Sequence, residues 1–572
     1  MYTLGINAAY HDCSACLVHD GAVIAAAEEE RFTRIKHGKR PVPFTTWQLP
    51  FHAIDYCLQE AGLELRQVDH VAYSYDPFLL HGPAGEDAVI HLPLQPSAHL
   101  SGASSPWDPL FISYLVNAPR QLASACPHHL KRRFHSVRHD GPFHWHFVEH
   151  HLAHEASAFL AAPFDECAVL TMDGRGERAT TSHGVYQGGE YRRLRQVNLP
   201  HSLGLLYEAV TDYLGFLHSS DEYKVMALAS YGRPVFAPLF REIVQYREEG
   251  DYHVAPADWE KLFGPARQRA TELTQRHMDI ARSLQLVLEE TVLRMADWLR
   301  RESGMENLCM AGGVALNCVV NAKLRDAGLF SGVWVQPAAG DAGTALGAAL
   351  WIDAEYGESG KPRWTMEHAF LGPAYDDSEI EQLLQYSKLF YRRMETPAET
   401  CAELLAQNKV LGWFQGRMEF GPRALGARSI LASPIDAAMQ SRLNEIKDRE
   451  DFRPVAPVVL EEEAANWFDG GAKSPFMLFV YDVTAGKADS IPAVRHVDGT
   501  ARIQTVNRAQ HPAYYDLLKA FAKRTGVPVL INTSFNTRGE PLVCTPRDAI
   551  ASYCSTPLDA LAIGPFLLEK TR

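Results

Sequence analysis

The chain has 572 residues, 46% hydrophobic and 22% charged, with 69 acidic against 55 basic side chains and a net charge of -14. That balance excludes collagen-like, coiled-coil and disordered classes, and it repels phosphate backbones, so nucleic acid is not expected as a main partner. No apolar run approaches the ~18 residues that span a bilayer, and Met1 to Gly5 lacks a basic start, so neither a membrane nor export is expected and the cytoplasm is the expected compartment.

Residues 2–7, 13–18 and 22–27 read as three strands, with Asp20-Gly21 as a hairpin turn between the last two. The pair Cys13 and Cys16 has no second pair at zinc-ribbon spacing and reads as two packed thiols. Residues 78–135, rich in Pro, Gly and Ser and ending near Lys131-Arg132-Arg133, read as an insertion. A strand over 168–172 runs into the turn Asp173-Gly174-Arg175-Gly176, and a further strand pair flanks Gly188-Gly189. Two strand–turn–strand units in one region point to a duplicated half-domain. A helix is expected over 278–301, where Ile280, Leu284, Val287, Val292 and Met295 step at helical spacing. A strand over 308–310 then turns through Gly312-Gly313 into a helix from Val314, and Gly340-Asp341-Ala342-Gly343 opens a helix over 344–354. The Gly- and Pro-bearing stretches 355–362 and 370–376 mark a boundary, giving expected domains 1–355 and 370–572.

His150 and His154 stand four apart in a helical segment, which puts both imidazoles on one face and starts a divalent-metal site. Asp173 and Asp341 each lie in a Gly-rich turn, where free backbone N–H groups, such as those of Gly174 and Gly176, suit phosphates. Two imidazoles and two carboxylates suit iron(II), manganese or zinc, iron(II) first, although both aspartates could instead merely cap their turns. Further on, Arg423 sits in a Gly-Pro turn, Lys447, Arg449 and Arg453 follow in one short run, and Arg502, Asn532 and Ser534 come later. Forked cations with neutral amide and hydroxyl groups suit a small phosphate-bearing amide. Lys447 and Arg449, two apart, are expected on one face of a strand. Any one of these cations read alone is as well explained by a solvated surface charge.

The histidine pair, the Gly312-Gly313-Val314-Ala315-Leu316-Asn317 string and the Gly-Asp-Ala-Gly turn resemble the TsaD family of tRNA threonylcarbamoyl transferases. The strings His11-Asp12, Glu28-Glu29-Glu30-Arg31-Phe32-Thr33-Arg34 and Gly421-Pro422-Arg423-Ala424-Leu425-Gly426 resemble, in order and over nearly the whole chain, the O-carbamoyltransferases of antibiotic and nodulation-factor biosynthesis. This resemblance implies an α/β chain: an N-terminal duplicated domain of the actin, sugar kinase and heat-shock ATPase fold, and a C-terminal α/β YrdC-like domain. It implies His150, His154, Asp173 and Asp341 as metal ligands, and Gly312, Gly313 and Asn317 against a nucleotide. It implies ATP and Mg2+ as cofactors, carbamoyl phosphate as donor, and a small hydroxyl compound as acceptor. Carbamoyl adenylate would form in the second domain and be consumed in the first.

His11 is the chosen base for the acceptor hydroxyl, because an alcohol attacks poorly until its proton is taken. Lys36 and Lys224 are candidates to steady a phosphate. Lys447, Arg502 and Ser534 are assigned to catalysis of the first step, with Arg423, Arg449, Arg453 and Asn532 binding the donor and nucleotide. A homodimer is the candidate assembly. The rivals are a tRNA-modifying enzyme, a hydrogenase-maturation carbamoyltransferase of the HypF type, and a chaperone-like ATPase on the same fold.

Overall fold

Two hairpins built to one pattern organise the first part of the chain in the computed structural model, which describes residues 1–38, 49–81, 115, 118–124, 143–358 and 363–570. Asp20-Gly21 joins Ser14–His19 to Ala22–Glu28 with His19 opposite Ala22, and both turn residues have positive φ, 50° and 84°. Gly188-Gly189 joins Ala179–Gln187 to Glu190–Asn198 with Gln187 opposite Glu190, at φ 61° and 83°. Two-residue turns of this hand match the twist of the strands they connect.

Each hairpin extends an identical sheet. In the first, Tyr2–Asn7 pairs antiparallel with Ser14–His19 and parallel with His70–Tyr73, which pairs parallel with His144–Phe147. In the second, Cys167–Met172 pairs antiparallel with Ala179–Gln187 and parallel with Asn307–Ala311, which pairs parallel with Gly332–Val335. Both are five-stranded with the same order and polarity, the duplication expected from the turn pattern.

Helices Ala342–Tyr356 and His150–Phe159 pack between these sheets. The approach is close. A Cβ on Gly5 would lie 1.9 Å from the Ala345 carbonyl, and one on Gly347 would lie 1.8 Å from the Ala153 carbonyl. Only glycine allows these backbones to touch, and the contact seats the start of the first helix over the imidazoles of the second. Gly347→Ala is therefore expected to push the helices apart, costing about 1–3 kcal/mol of stability. The check is a thermal melt together with metal content, and both should fall.

The expected helix over 278–301 runs from Gln275 to Ser303. The helix expected from Val314 is split: Gly313–Leu316 forms a 3-10 turn, and Asn317 caps a new helix, Cys318–Asp326, by accepting from Val320 N. Cys13 and Cys16 pack into two different apolar clusters. Of the expected insertion, only Phe78–His81, Leu115 and Ala118–Ser124 are described, and Lys131-Arg132-Arg133 lies outside the described residues.

The later part of the chain carries a mixed eight-stranded sheet whose central strands are Leu411–Phe414, Arg428–Ala432 and Val529–Ser534. Its core gathers Leu405, Trp413, Leu517, Leu518 and Phe521 beneath helices Pro397–Ala406 and Pro512–Thr525. The two parts meet through two of the strings singled out above. Glu28 accepts from Gly421 N at 2.8 Å, Arg31 donates to Gly421 O at 2.9 Å, and Arg31 and Glu28 pair with each other at 2.8 Å, all buried. Lys447 and Arg449 do not share a strand. Lys447 is the C-cap of helix Met439–Ile446, and Asp448 turns left-handed at φ 45°. The Arg449 amide then closes the helix end on Asn444 O.

Candidate metal centre and anion pocket

The helix His150–Phe159 presents His150 and His154 one turn apart, as their spacing requires. Asp173 follows the end of strand Cys167–Met172, and Asp341 is the N-cap of helix Ala342–Tyr356. One donor atom from each of the four lies within 4.8 Å of all the others, and all four residues are buried. His150 Nε2 stands 3.8 Å from Asp173 Oδ2 and 3.6 Å from Asp341 Oδ1, and His154 Nε2 stands 3.7 Å from the same Asp341 oxygen. These separations are too long for hydrogen bonds. They are close to the spacing of neighbouring donors around a cation with bonds of about 2.1 Å.

The same residues carry unmet valence. His150 Nε2, both nitrogens of His154 and both Asp341 oxygens have no hydrogen-bond partner among the described residues. Buried polar atoms left unpaired cost free energy, so such a cluster fits a cation. His150 Nδ1 lies 3.2 Å from the Ser74 carbonyl, which fixes the tautomer that frees Nε2. The His150 amide donates to Glu177 at 3.0 Å, and Gly313 N donates to Asp173 Oδ1 at 2.8 Å. Burial disfavours a charged His150 ring, but Asp341 and Asp173 outweigh it and hold the ring above its ordinary range. His151 is different: burial, then His154 and His150, push it down to about 3, so it stays neutral beside the site.

The Gly-rich turns wrap this centre tightly. Gly312 has φ 89°, and a Cβ there would lie 2.2 Å from Met172 O. Gly174 O accepts from Ser202 Oγ, and a Cβ on Gly176 would meet His151 Nδ1 at 2.7 Å. The Asn317 amide is engaged with Gln285 at 2.9 Å as well as with its helix. His11 reaches the centre from the first strand's end, with Nδ1 3.7 Å from Asp341 Oδ2 and 2.9 Å from Asp12 Oδ2. Burial opposes charge on that ring, but Asp341 and Asp12, then Asp173, push it up to about 10. Lys36 lies in the short turn Lys36–Gly38 beside it.

The second cluster is cationic. Arg423 Nε, Arg449 Nη2 and Arg502 Nε are buried without a hydrogen-bond partner among the described residues. Burial and the neighbouring Arg502 lower Arg423 to about 9, and burial and Arg453 lower Arg449 to about 9. Guanidinium groups stay charged in practice, so crowding these cations together favours an anion among them. Lys447 is lowered well below the usual ammonium range by burial, then by Arg449 and Arg453. Its ammonium donates to Ser534 O, to Ser534 Oγ at 3.2 Å and to Asn536 Oδ1 at 2.7 Å, pinning that turn. Asn532 donates to Gln504 at 2.8 Å, and its own Oδ1 has no hydrogen-bond partner among the described residues. Arg453 stacks on the Tyr223 ring at 4.7 Å, and Lys224 pairs with Asp221 at 3.1 Å and Glu450 at 3.0 Å.

The two clusters adjoin, since Arg423 Nη2 reaches Leu316 O, at the end of the glycine string, at 3.5 Å. In the sequence Asp12 is singled out only within the string His11-Asp12, without a role of its own, and Tyr223, Asn536, His37 and Glu177 are given none. Among those four, Glu177 has a local signal, its place directly after the Asp-Gly-Arg-Gly turn.

Four buried donors suited to a cation thus lie beside half-buried arginines suited to an anion, and comparison with known proteins specifies the chemistry. Residues 2–78 and 133–350 match the family model described as carbamoyltransferase N-terminus, and residues 402–570 match carbamoyltransferase C-terminus. An uncharacterized protein, sll1178, of Synechocystis is 41% identical, over 100% of this chain and 97% of its own. Nodulation protein NolNO of Sinorhizobium fredii is 40% identical, over 99% of this chain and 80% of its own. Among solved structures, HypF of T. kodakarensis superposes with a TM-score of 0.32 at 14% identity, over 62% of this chain and 47% of that one, too distant to carry an argument. The chain belongs to the carbamoyltransferase family and is a carbamoyltransferase, of the nodulation-protein type of O-carbamoyltransferase.

Proposed function

We propose that the protein is an ATP-dependent O-carbamoyltransferase working in two steps on two units, residues 1–355 and 370–572. The observation that carries this reading is the set of buried nitrogens Arg423 Nε, Arg449 Nη2 and Arg502 Nε, which have no hydrogen-bond partner among the described residues and adjoin the histidine–aspartate cluster through Arg423 and Leu316. In the first step, the YrdC-like unit receives carbamoyl phosphate and ATP with Mg2+. Water displaces phosphate, and the resulting carbamate oxygen attacks the α-phosphorus and expels pyrophosphate, leaving carbamoyl adenylate. Arg423, Arg449, Arg453 and Arg502 hold the phosphates by charge-assisted bonds. Lys447 steadies the turn of Ser534 and Asn536, and the free Oδ1 of Asn532 suits the carbamoyl NH2.

In the second step, His11 takes the proton of a natural-product hydroxyl, the hydroxyl oxygen bonds to the carbamoyl carbon, and AMP leaves. His150, His154, Asp173 and Asp341 would hold a divalent cation, iron(II) or else manganese or zinc. Bound there, it would polarise the carbamoyl group and cancel the carboxylate field on His11. Gly312 and Gly313 would flank the nucleotide, and Lys36 would meet a phosphate. Joining the two pockets protects a carbamate that decomposes in water. Among the described residues no helix is long and apolar enough to cross a membrane, and the reaction is proposed for the cytoplasm.

Mass spectrometry tests the reading. A reaction with ATP, Mg2+, carbamoyl phosphate and a panel of hydroxyl compounds is expected to add one carbamoyl unit to an acceptor and release AMP. ATP turnover indifferent to carbamoyl phosphate would refute it.

A further inference from the structure

Four residues other than glycine take left-handed backbone close to His11: Tyr10 at φ 48°, Asp12 at 51°, His37 at 63° and Ser219 at 56°. Each such conformation is strained for a residue with a side chain, and it persists only where the surroundings over-determine it. Here the surroundings are a chain of hydrogen bonds. Asp12 Oδ2 holds His11 Nδ1 at 2.9 Å, and Asp12 Oδ1 holds His37 Nδ1 at 2.8 Å. His37 Nε2 lies 2.9 Å from Ser220 Oγ. The backbone closes the same loop: Asp12 N donates to His37 O at 3.0 Å, and His37 N donates to Glu30 Oε2 at 2.6 Å. Asn7 Nδ2 donates to the carbonyls of both His11 and Asp12.

Donor atoms of Asp12, Glu30 and His37 also lie within 4.8 Å of one another. They are already engaged, because both Asp12 oxygens face imidazoles and Glu30 pairs with Arg31 at 2.9 Å. Burial works against an ionised Asp12, but His37 and His11 outweigh it and hold the carboxyl well below the usual range. An ionised carboxylate between two rings receives an N–H from each. His37 then accepts the Ser220 hydroxyl on Nε2, and Nε2 of His11 is the ring nitrogen that no hydrogen bond engages among the described residues.

We propose that Asp12 and His37 are positioning residues of the transfer centre, with Asp12, held in place by His37, keeping His11 in the tautomer whose Nε2 faces the acceptor hydroxyl. The proposal rests on the reading of His11 as the general base and adds what makes it one. The anchor also reaches the other pocket. Ser220 precedes the helix Glu222–Ala229, whose Tyr223 stacks under Arg453 and whose Lys224 pairs with Glu450. One short segment thus touches the base's support at one end and the anion pocket at the other.

The test uses the full-length protein labelled with 15N-histidine, and the variants Asp12→Asn, His37→Ala and His37→Asn. Asparagine places its amide N–H near the position of Nδ1, so His37→Asn keeps the bond to Asp12 and loses only the one to Ser220. The His11 Nδ1–H resonance is expected to be protected from exchange in the wild type and in His37→Asn, and lost in His37→Ala. With the hydroxyl compound that the panel identifies, Asp12→Asn should lower kcat for transfer about 10²–10⁴-fold, and His37→Ala should lower it by roughly 10–100-fold. KM and carbamoyl-phosphate-dependent ATP–pyrophosphate exchange should hold in both. A His11 N–H signal indifferent to His37→Ala, or transfer equally weak in His37→Asn and His37→Ala, would overturn the proposal. Absence of the exchange reaction in the wild type would instead overturn the two-step reading, while the N–H signal still judges the anchor.

Discussion

Asp341→Ala is expected to strip the divalent ion and lower carbamoyl transfer at least ~10³-fold, the several kcal/mol that a Lewis-acidic cation contributes to a transition state. Asp341 is the hub of the cage: one oxygen faces both imidazoles at 3.6 and 3.7 Å, and the other lies 3.7 Å from His11. Its carboxylate is 1% exposed and has no hydrogen-bond partner among the described residues. Removing a buried charge of that kind need not harm the fold. The metal-free variant should therefore melt at or above the temperature of the metal-free wild type. Elemental analysis, transfer rate and a thermal melt together separate loss of the ion from loss of structure. A variant that kept the metal, or lost activity only by unfolding, would contradict this account of the cage.

Lys447→Ala is expected to lower adenylate formation about 10²–10³-fold, read as carbamoyl-phosphate-dependent ATP–pyrophosphate exchange. Two losses combine. The pocket loses a cation within reach of the donor's charge, and charge-assisted bonds contribute about 1.5–3 kcal/mol each. The turn carrying Ser534 and Asn536 also loses its pin, since Lys447 donates to both residues. The acceptors left behind are partly open to water, so the melt should move by only a few degrees. Transfer from carbamoyl adenylate supplied from outside should survive, because the metal cage is intact.

What could be read from the sequence was local. The histidine pair lies on one turn of helix, the two hairpin turns are dipeptides, and each caging aspartate sits in its own Gly-rich turn. Those features are set by neighbours in the chain, so spacing alone displays them. The duplicated sheet followed from the same logic. What escaped was set by distant partners. Nothing near Glu28 or Arg31 shows that they clasp Gly421, and nothing near His37 shows that it shares Asp12 with His11. Lys447 and Arg449 were placed on a strand by counting in twos. A helix end wins there because Asn444 holds the Arg449 amide through its carbonyl and the Arg449 guanidinium through its side chain at 2.5 Å. Lys224 looked free for phosphate, yet Asp221 three residues before it was a visible partner, and Glu450 from the other part of the chain completes its pairing.

The central claim is that a carbamoyl intermediate is made among the half-buried arginines and consumed beside the histidine–aspartate cluster. Asp341→Ala tests it most directly when exchange of labelled pyrophosphate into ATP and acceptor carbamoylation are followed in one reaction. The account predicts exchange that needs carbamoyl phosphate and runs at the wild-type rate, with no carbamoylated product. Exchange that vanished with the cage, or product that still formed without it, would contradict the division of labour.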